Sequence, residues 1–232
     1  MAEIAFDDVT VTAETSGDDV VILHDVTATL NEDRVALIGG NGSGKSTLAR
    51  LVNGLVTASA GTVTVDGLDV ARDGPAVRRR VGFVFTQPAA QLVMPTVAED
   101  VALSLRRLVP DKAAREQRVM AVLRTYGLDH LASASVHALS GGQQQLLALA
   151  GVLATEPSVV VADEPTTLLD LRNSVAVADR LFSLDQQLVL VTHDLDLAAR
   201  CDRVLVVEDG TIAFDGDPRA AVDLYRRSAG PQ

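Results

Sequence analysis

Tryptophan is absent from this chain, and aromatic residues make up only 3% of its 232 positions. A core without large rings has to be assembled from Val, Leu, Ile and Ala, and a hydrophobic content of 47% is enough for one. Cys201 is the only cysteine, so no disulfide forms within the chain. A reducing, cytosolic compartment is the default for such a chain, and Cys201 is expected to be a small, partly buried apolar residue. Long apolar runs are missing as well. The longest, Leu146 to Ala154, falls far short of the ~20 residues that span a bilayer. The start, Met1 to Asp8, has neither the basic nor the apolar region of a signal peptide, so any work at a membrane is expected to pass through a partner. Positive charge is scarce: 20 Lys and Arg face 31 Asp and Glu, a net charge of -11. That balance argues against a nucleic-acid-binding surface, which wants a basic footprint. It is compatible with a nucleotide ligand, whose phosphates are met locally. The length suits one large α/β domain, alone or with a subdomain, and there are no repeats or compositional linkers.

What the chain has in plenty is glycine at one place. Gly39-Gly40-Asn41-Gly42-Ser43-Gly44-Lys45-Ser46-Thr47 follows the apolar run Val35 to Ile38 and precedes the helix-like run Leu48 to Val52. Strand, glycine loop and helix in that order are the context of a phosphate-binding loop. The backbone N–H groups of Gly39, Asn41, Gly42, Ser43 and Gly44, with the positive end of the following helix, form a cradle for β- and γ-phosphates. Lys45 reaches the same oxygens, Ser46 offers its hydroxyl to Mg²⁺, and Thr47 is placed near the α-phosphate.

Around this loop the pattern is α/β. Ile4–Phe6, Val9–Thr12, Val20–Leu23 and Val26–Leu30 read as strands of a small antiparallel sheet, with a polar turn over 15–19. Arg34–Ile38, Gly61–Gly67, Val81–Phe85, Val159–Ala162 and Leu188–Val191 read as further strands. Pro75 opens a short helix whose Arg78, Arg79 and Arg80 are expected to be a solvated face. From Pro88 to Glu156 the texture turns helical. Thr96 caps a helix over 97–105 with Glu99 in a capping box, Asp111 caps a second that ends at Gly127, and a third runs from Gly142 to Ala154. Helices are also expected at 171–184, at 195–200 behind Asp194, and at 218–227, with a strand pair around Asp209-Gly210.

Two further stretches carry chemistry. Asp163-Glu164 ends the apolar strand, where an open α/β sheet binds its ligand. One carboxylate there suits Mg²⁺, directly or through water, and the other suits a general base for an attacking water. Leu139-Ser140-Gly141-Gly142-Gln143 opens a helix. Ser-x-x-Gln is a capping box, and two glycines at a helix N-terminus also bare N–H groups to a phosphate; the two readings are compatible.

Taken together, GGNGSGKST, LSGGQ, VVVADEPTTLLD and VTHD, in that order, resemble an ATP-binding cassette ATPase from about Ile4 to Asp217. The resemblance implies a P-loop core with a mainly parallel sheet, a small antiparallel β-subdomain and an inserted helical subdomain. The implied boundaries are 1–87 and 157–217 for the core, 88–156 for the helical part and 218–232 for a C-terminal helix and tail. It implies ATP and Mg²⁺ as ligands, Lys45, Ser46 and Thr47 in the Walker A loop, and Asp163 as the Mg²⁺ carboxylate. Glu164 is then the catalytic base, and His193 the switch histidine at the γ-phosphate. Ser140, Gly141, Gly142 and Gln143, with Asp170 of the D-loop, belong to a site shared with a second subunit, in a head-to-tail homodimer. VGFVFTQPAAQLVMPTVAEDVA is similar to the matching stretch of energy-coupling-factor importer ATPases, in the branch serving biotin or cobalt and nickel. That likeness implies a transmembrane coupling protein, a substrate-binding membrane subunit and a place on the cytoplasmic face of the membrane. It also implies transport-coupled ATP hydrolysis.

Three positions depart from the family pattern. The coupling-loop glutamine falls on Thr86, leaving Gln87 or Gln91 to serve Mg²⁺ and water. No aromatic near Ala13 stacks on adenine, which leaves Val11 or Val20 for apolar contact. Leu146 stands where a basic residue is usual. These motivate a second reading, a weakly hydrolysing regulatory half of a heterodimer. Chromosome and translation ATPases of the same superfamily need a coiled coil or a tandem cassette, which this length does not hold.

Overall fold

The computed structural model describes residues 2–14 and 19–228. The expected turn over 15–19 lies almost entirely outside the described residues, as does the tail after 228. In chain order the elements are β1 (Ile4–Glu14), β2 (Asp19–Leu30), β3 (Arg34–Ile38), α1 (Lys45–Leu51), β4 (Ala60–Val65), β5 (Leu68–Asp69), α2 (Gly74–Arg80) and β6 (Val81–Val84). Next come α3 (Val97–Leu105), α4 (Lys112–Thr125), α5 (Gly141–Leu153), β7 (Val159–Asp163), α6 (Leu171–Phe182) and β8 (Gln187–Val191). The chain ends with α7 (Leu195–Ala198), β9 (Arg203–Glu208), β10 (Thr211–Gly216) and α8 (Pro218–Ser228).

The chain divides into two compact units. The first holds Met1–Val81, Ser158–Glu164 and Leu184–Gln232; the second holds Gly82–Pro157 and Pro165–Ser183. In the first unit a sheet runs in the order β10-β9-β3-β8-β7. Within it β3 pairs parallel with both β8 and β9, β7 pairs parallel with β8, and β10 closes antiparallel on β9. Every residue of β7 and β8 is buried, as their unbroken Val and Leu runs require of strands covered on both faces. An antiparallel sheet of order β2-β1-β4-β5 forms the other layer, and its β1 and β2 are longer than their sequence patterns suggest. Asp7-Asp8 and His24-Asp25 read as breaks. They are instead β-bulge positions inside continuous strands, with Asp8 and Asp25 at positive φ. The threonines opposite accommodate them: Thr27 Oγ1 donates to Asp8, and Thr10 Oγ1 to Asp25.

The second unit is helical, with a core of Leu92, Val97, Val101, Leu105, Val119, Leu123 and their neighbours. Leu146, the residue standing in a usually basic position, packs against this core. The helix starts follow the sequence signals. Thr96 and Glu99 form a reciprocal capping box, Asp111 accepts from the Ala114 amide, and Ser140 and Gln143 form a second box.

Candidate functional site

In the first unit, β3 delivers the chain into the glycine loop at the carboxyl edge of the sheet, and α1 leaves it. Gly39 has φ +154°, and a Cβ there would lie 2.2 Å from the carbonyl oxygen of Val207, so only glycine lets the loop pass β9. Gly44 caps α1 at φ +100°, where a Cβ would meet the Leu23 side chain at 2.7 Å. Lys45 is buried, and its Nζ donates to the carbonyl of Gly40 at 3.0 Å, so the ammonium sits folded inside its own loop. The Ser43 hydroxyl is also buried within the loop and has no hydrogen-bond partner. A buried hydroxyl of this kind, beside an inward ammonium in a cradle that a Cβ would fill, fits a phosphate group. Asn41 and Gly42 lie exposed at the loop tip.

Asp163 ends β7 and is 1% exposed. Its Oδ1 accepts from Ser46 Oγ at 2.9 Å and its Oδ2 from Arg50 Nη2 at 3.2 Å, which compensates the burial of its charge. Arg50 is a site residue that the motif reading passed over. It stands four residues after Ser46, hence on the same face of α1, and that spacing is the signal that would have found it. Ser46 and Asp163 thus present two hard oxygen atoms side by side. Among the described residues no group of three or more His, Cys, Asp or Glu is gathered for a metal. A pair of protein oxygens completed by phosphate and water is the way Mg²⁺ is held at nucleotide sites, and the donors here fit it.

Glu164 follows at φ +51°, a left-handed conformation for a non-glycine residue, with its amide donating to Val191 O at 2.9 Å. Glu164 Oε2 lies 2.7 Å from His193 Nδ1, so the imidazole N–H donates to the carboxylate. His193 is held from both sides: Thr192 N donates to Leu37 O of β3, and Asp194 caps α7 through the amides of Asp196 and Leu197. The ring itself stays open, its side chain 62% exposed. Lys45, Ser46, Asp163, Glu164 and His193, spread over nearly 150 positions of sequence, are gathered by three adjacent strands.

In the second unit, Ser140, Gly141, Gly142 and Gln143 open α5. Ser140 N donates to Gln143 Oε1 at 2.9 Å, and Gln143 N to Ser140 Oγ at 3.3 Å. The two glycines differ. Gly141 is exposed and has room around it, with Leu169 Cδ2 nearest at 3.9 Å, whereas Gly142 is buried against Asn173. Asp170 caps α6 by accepting from Asn173 N at 2.8 Å. Of the two candidate glutamines, Gln91 braces its own loop: its Oε1 accepts from Phe85 N and its Nε2 donates to Phe83 O. Gln87 is exposed, and its side chain does not cap the turn that follows it. The expectation for adenine needs a correction on one point. Val11 is 3% exposed, buried within the antiparallel sheet, while Val20 is 49% exposed, so of the two only Val20 has a free face.

Known proteins bear on this arrangement directly. A family model described as ABC transporter matches residues 23–167. A Bartonella quintana protein named only to the level of an ABC transporter ATP-binding protein is 47% identical over 227 residues, 98% of this chain and 99% of its own. The biotin transport ATP-binding protein BioM of Rhizobium etli is 42% identical over 209 residues, 90% of this chain and 93% of BioM. Among solved structures, an ATP-binding cassette in a dimeric, post-hydrolysis state bound to ADP and phosphate has a TM-score of 0.82 and 29% identity, over 93% of this chain and 99% of that one. Agreement over almost the full length, in sequence and in fold, means that this chain belongs to the ABC transporter family, as an ATP-binding subunit that hydrolyses ATP.

Proposed function

We propose that the chain powers an importer of the energy-coupling-factor type, for a vitamin such as biotin or for cobalt or nickel, as one half of a homodimer on the cytoplasmic face of the membrane. The observation that carries the importer reading is the 42% identity to a biotin transport ATPase over nine-tenths of both chains. The likeness of residues 81–102 to the same branch supports it. No helix among the described residues is long and apolar enough to cross a membrane, and this reading assigns the pore and the cargo site to partner subunits. The 2.7 Å contact between Glu164 and His193 favours a hydrolysing subunit over a regulatory half.

The roles follow from position. Lys45 exchanges the Gly40 carbonyl for phosphate oxygens, and the Ser43 hydroxyl joins the loop amides in that cradle. Ser46 and Asp163 hold Mg²⁺, which when bound neutralises the charge developing on the phosphates. Glu164 accepts the proton of the water that attacks the γ-phosphorus as the bond to ADP breaks, and His193 orients that carboxylate. Gln87, whose side chain does not cap the turn that follows it, is the glutamine assigned to the ion and the water. Ser140 to Gln143 and Asp170 act on the ATP of the other subunit, giving two shared sites around a two-fold axis. Leu168 and Leu171, 62% and 82% exposed on either side of Asp170, are apolar surface that a second copy would cover.

The test is to purify the tagged chain in mild detergent from the membranes of its own cells. The expected result is recovery with a transmembrane coupling protein and a small hydrophobic subunit whose bound ligand names the cargo. Recovery without any membrane subunit would overturn the importer reading while leaving the ATPase intact.

A further inference from the structure

The first turn of α6 is organised around Asn173. Asp170 Oδ1 accepts from the backbone amide of Asn173 at 2.8 Å, and Asp170 Oδ2 accepts from its Nδ2 at 3.0 Å. The next residue, Ser174, donates its hydroxyl to Thr166 O at 3.2 Å, drawing loop 166–170 onto the helix. The same Asn173 side chain faces the start of α5. A Cβ on Gly142 would lie 2.4 Å from Asn173 Cγ, 2.5 Å from its Oδ1 and 2.9 Å from its Cβ. One amide therefore touches both the helix start that carries residues 140–143 and the loop that carries Asp170. An alanine at 142 would force Asn173 to rotate, and rotation would take Nδ2 off Asp170.

We propose that Asn173 is a positioning residue that locks the D-loop carboxylate Asp170 to the backbone at Gly142, so that loop 166–170 and the N-terminus of α5 shift as one piece. The inference rests on the proposed roles of Asp170 and residues 140–143 at the partner's ATP. Its physical basis is geometric: a phosphoryl-transfer site loses rate when its donors are misplaced by about an ångström. A capping aspartate needs only the backbone amide of Asn173. The second bond, from the side chain, adds nothing to capping; it fixes the amide that lies against Gly142.

The test uses the full chain with Asn173→Ala, Asp170→Ala, the double variant and Gly142→Ala, and Lys45→Ala as the background for hydrolysis. Asn173→Ala is expected to lower kcat about tenfold or more, as loss of a hydrogen bond to a charged group allows. The KM for ATP should stay within about twofold, since the first unit holds the nucleotide. The double variant should fall no further than the worse single one, because both residues act along one path. Amide hydrogen exchange gives a readout independent of turnover. Gly142→Ala should speed exchange at Leu169 and Ser174, whose amides bond to Thr166 O and Asp170 O. Full turnover by Asn173→Ala, losses that multiply in the double variant, or unchanged exchange at Leu169 and Ser174 would each overturn the proposal. A wild type no faster than Lys45→Ala would sink the ATPase roles instead, and the exchange result would still decide the coupling.

Discussion

Asp163 and Lys45 of the first unit are buried at the carboxyl edge of its parallel sheet, whereas Ser140, Gly141 and Asp170 of the second stand exposed at helix N-termini. Asp163 is closed off, paired with Ser46 and Arg50, and Glu164 meets His193 directly. Ser140, Gly141 and Asp170 are exposed, and their partners are the backbone and side chains of their own capping boxes. A strand end fixes a group through the register that its parallel neighbour sets, as β8 does for β7. A helix N-terminus fixes only the donors and leaves the face above them open. On the proposed roles, the first unit holds a ligand of its own and the second presents donors to a partner's.

The sharpest way to break this contrast is Glu164→Gln. The amide keeps the shape and the contact with His193 and removes only the base. ATP turnover should fall by about 10²–10⁴-fold while ATP is still retained, read by steady-state hydrolysis and by equilibrium nucleotide binding. Hydrolysis at the wild-type rate would remove Glu164 from the role and weaken the case for a self-contained first unit.

A smaller effect separates the two units by stability. Leu123 is 0% exposed in the core of the second unit. Leu123→Ala should cost about 2–5 kcal/mol there through lost burial and the cavity left behind. The expected outcome is a lower melting transition with ATP binding preserved and hydrolysis lost at temperatures where the second unit opens. Loss of ATP binding in parallel with hydrolysis would show that the first unit does not hold its ligand alone.

The smallest effect concerns Cys201 in the first unit, a buried thiol whose Sγ lies 3.9 Å from Leu197 O. Burial, with the neighbouring Asp202 carboxylate, pushes its pKa up to about 12. The folded thiol stays protonated where an unfolded one ionises. Its contribution to stability is whole below the ordinary value of 9.0 and fades as pH rises towards about 12. At pH 8 no change in stability is expected, and iodoacetamide should label Cys201 only after denaturation, as counted by mass spectrometry. Labelling of the native protein at the rate of a free thiol would place the β8–β9 connection among the parts that open readily.

Much of this was legible in the amino-acid order. The buried strands β3, β7 and β8 are short unbroken runs of Val, Leu, Ile and Ala, and the starts of α3, α4 and α5 carry their capping residues in the expected places. The phosphate loop and the Asp163-Glu164 pair are contiguous motifs, so their local chemistry is readable without a fold. Contacts that depend on what lies opposite were not legible. Asp7-Asp8 looks like a strand break until the bulge and Thr27 are in place. Val11 looks available to a base until β1 is seen to be an interior strand that buries it.

By itself the sequence determined the local conformations, the order of the motifs and the family, because each depends on residues within a few positions of one another. Only the tertiary structure decided that Arg50 shares Asp163 with Ser46, that Gln91 is spent on its own loop while Gln87 is not, and that Gly142 is glycine because Asn173 occupies the space of its Cβ. It also decided that residues 165–183, although they follow directly on β7, belong with the helical unit. The reason is the same in each case. A hydrogen bond or a steric limit between residues brought together by packing is set by the elements that carry them, and a local pattern at most names a candidate, as the spacing of Ser46 and Arg50 does.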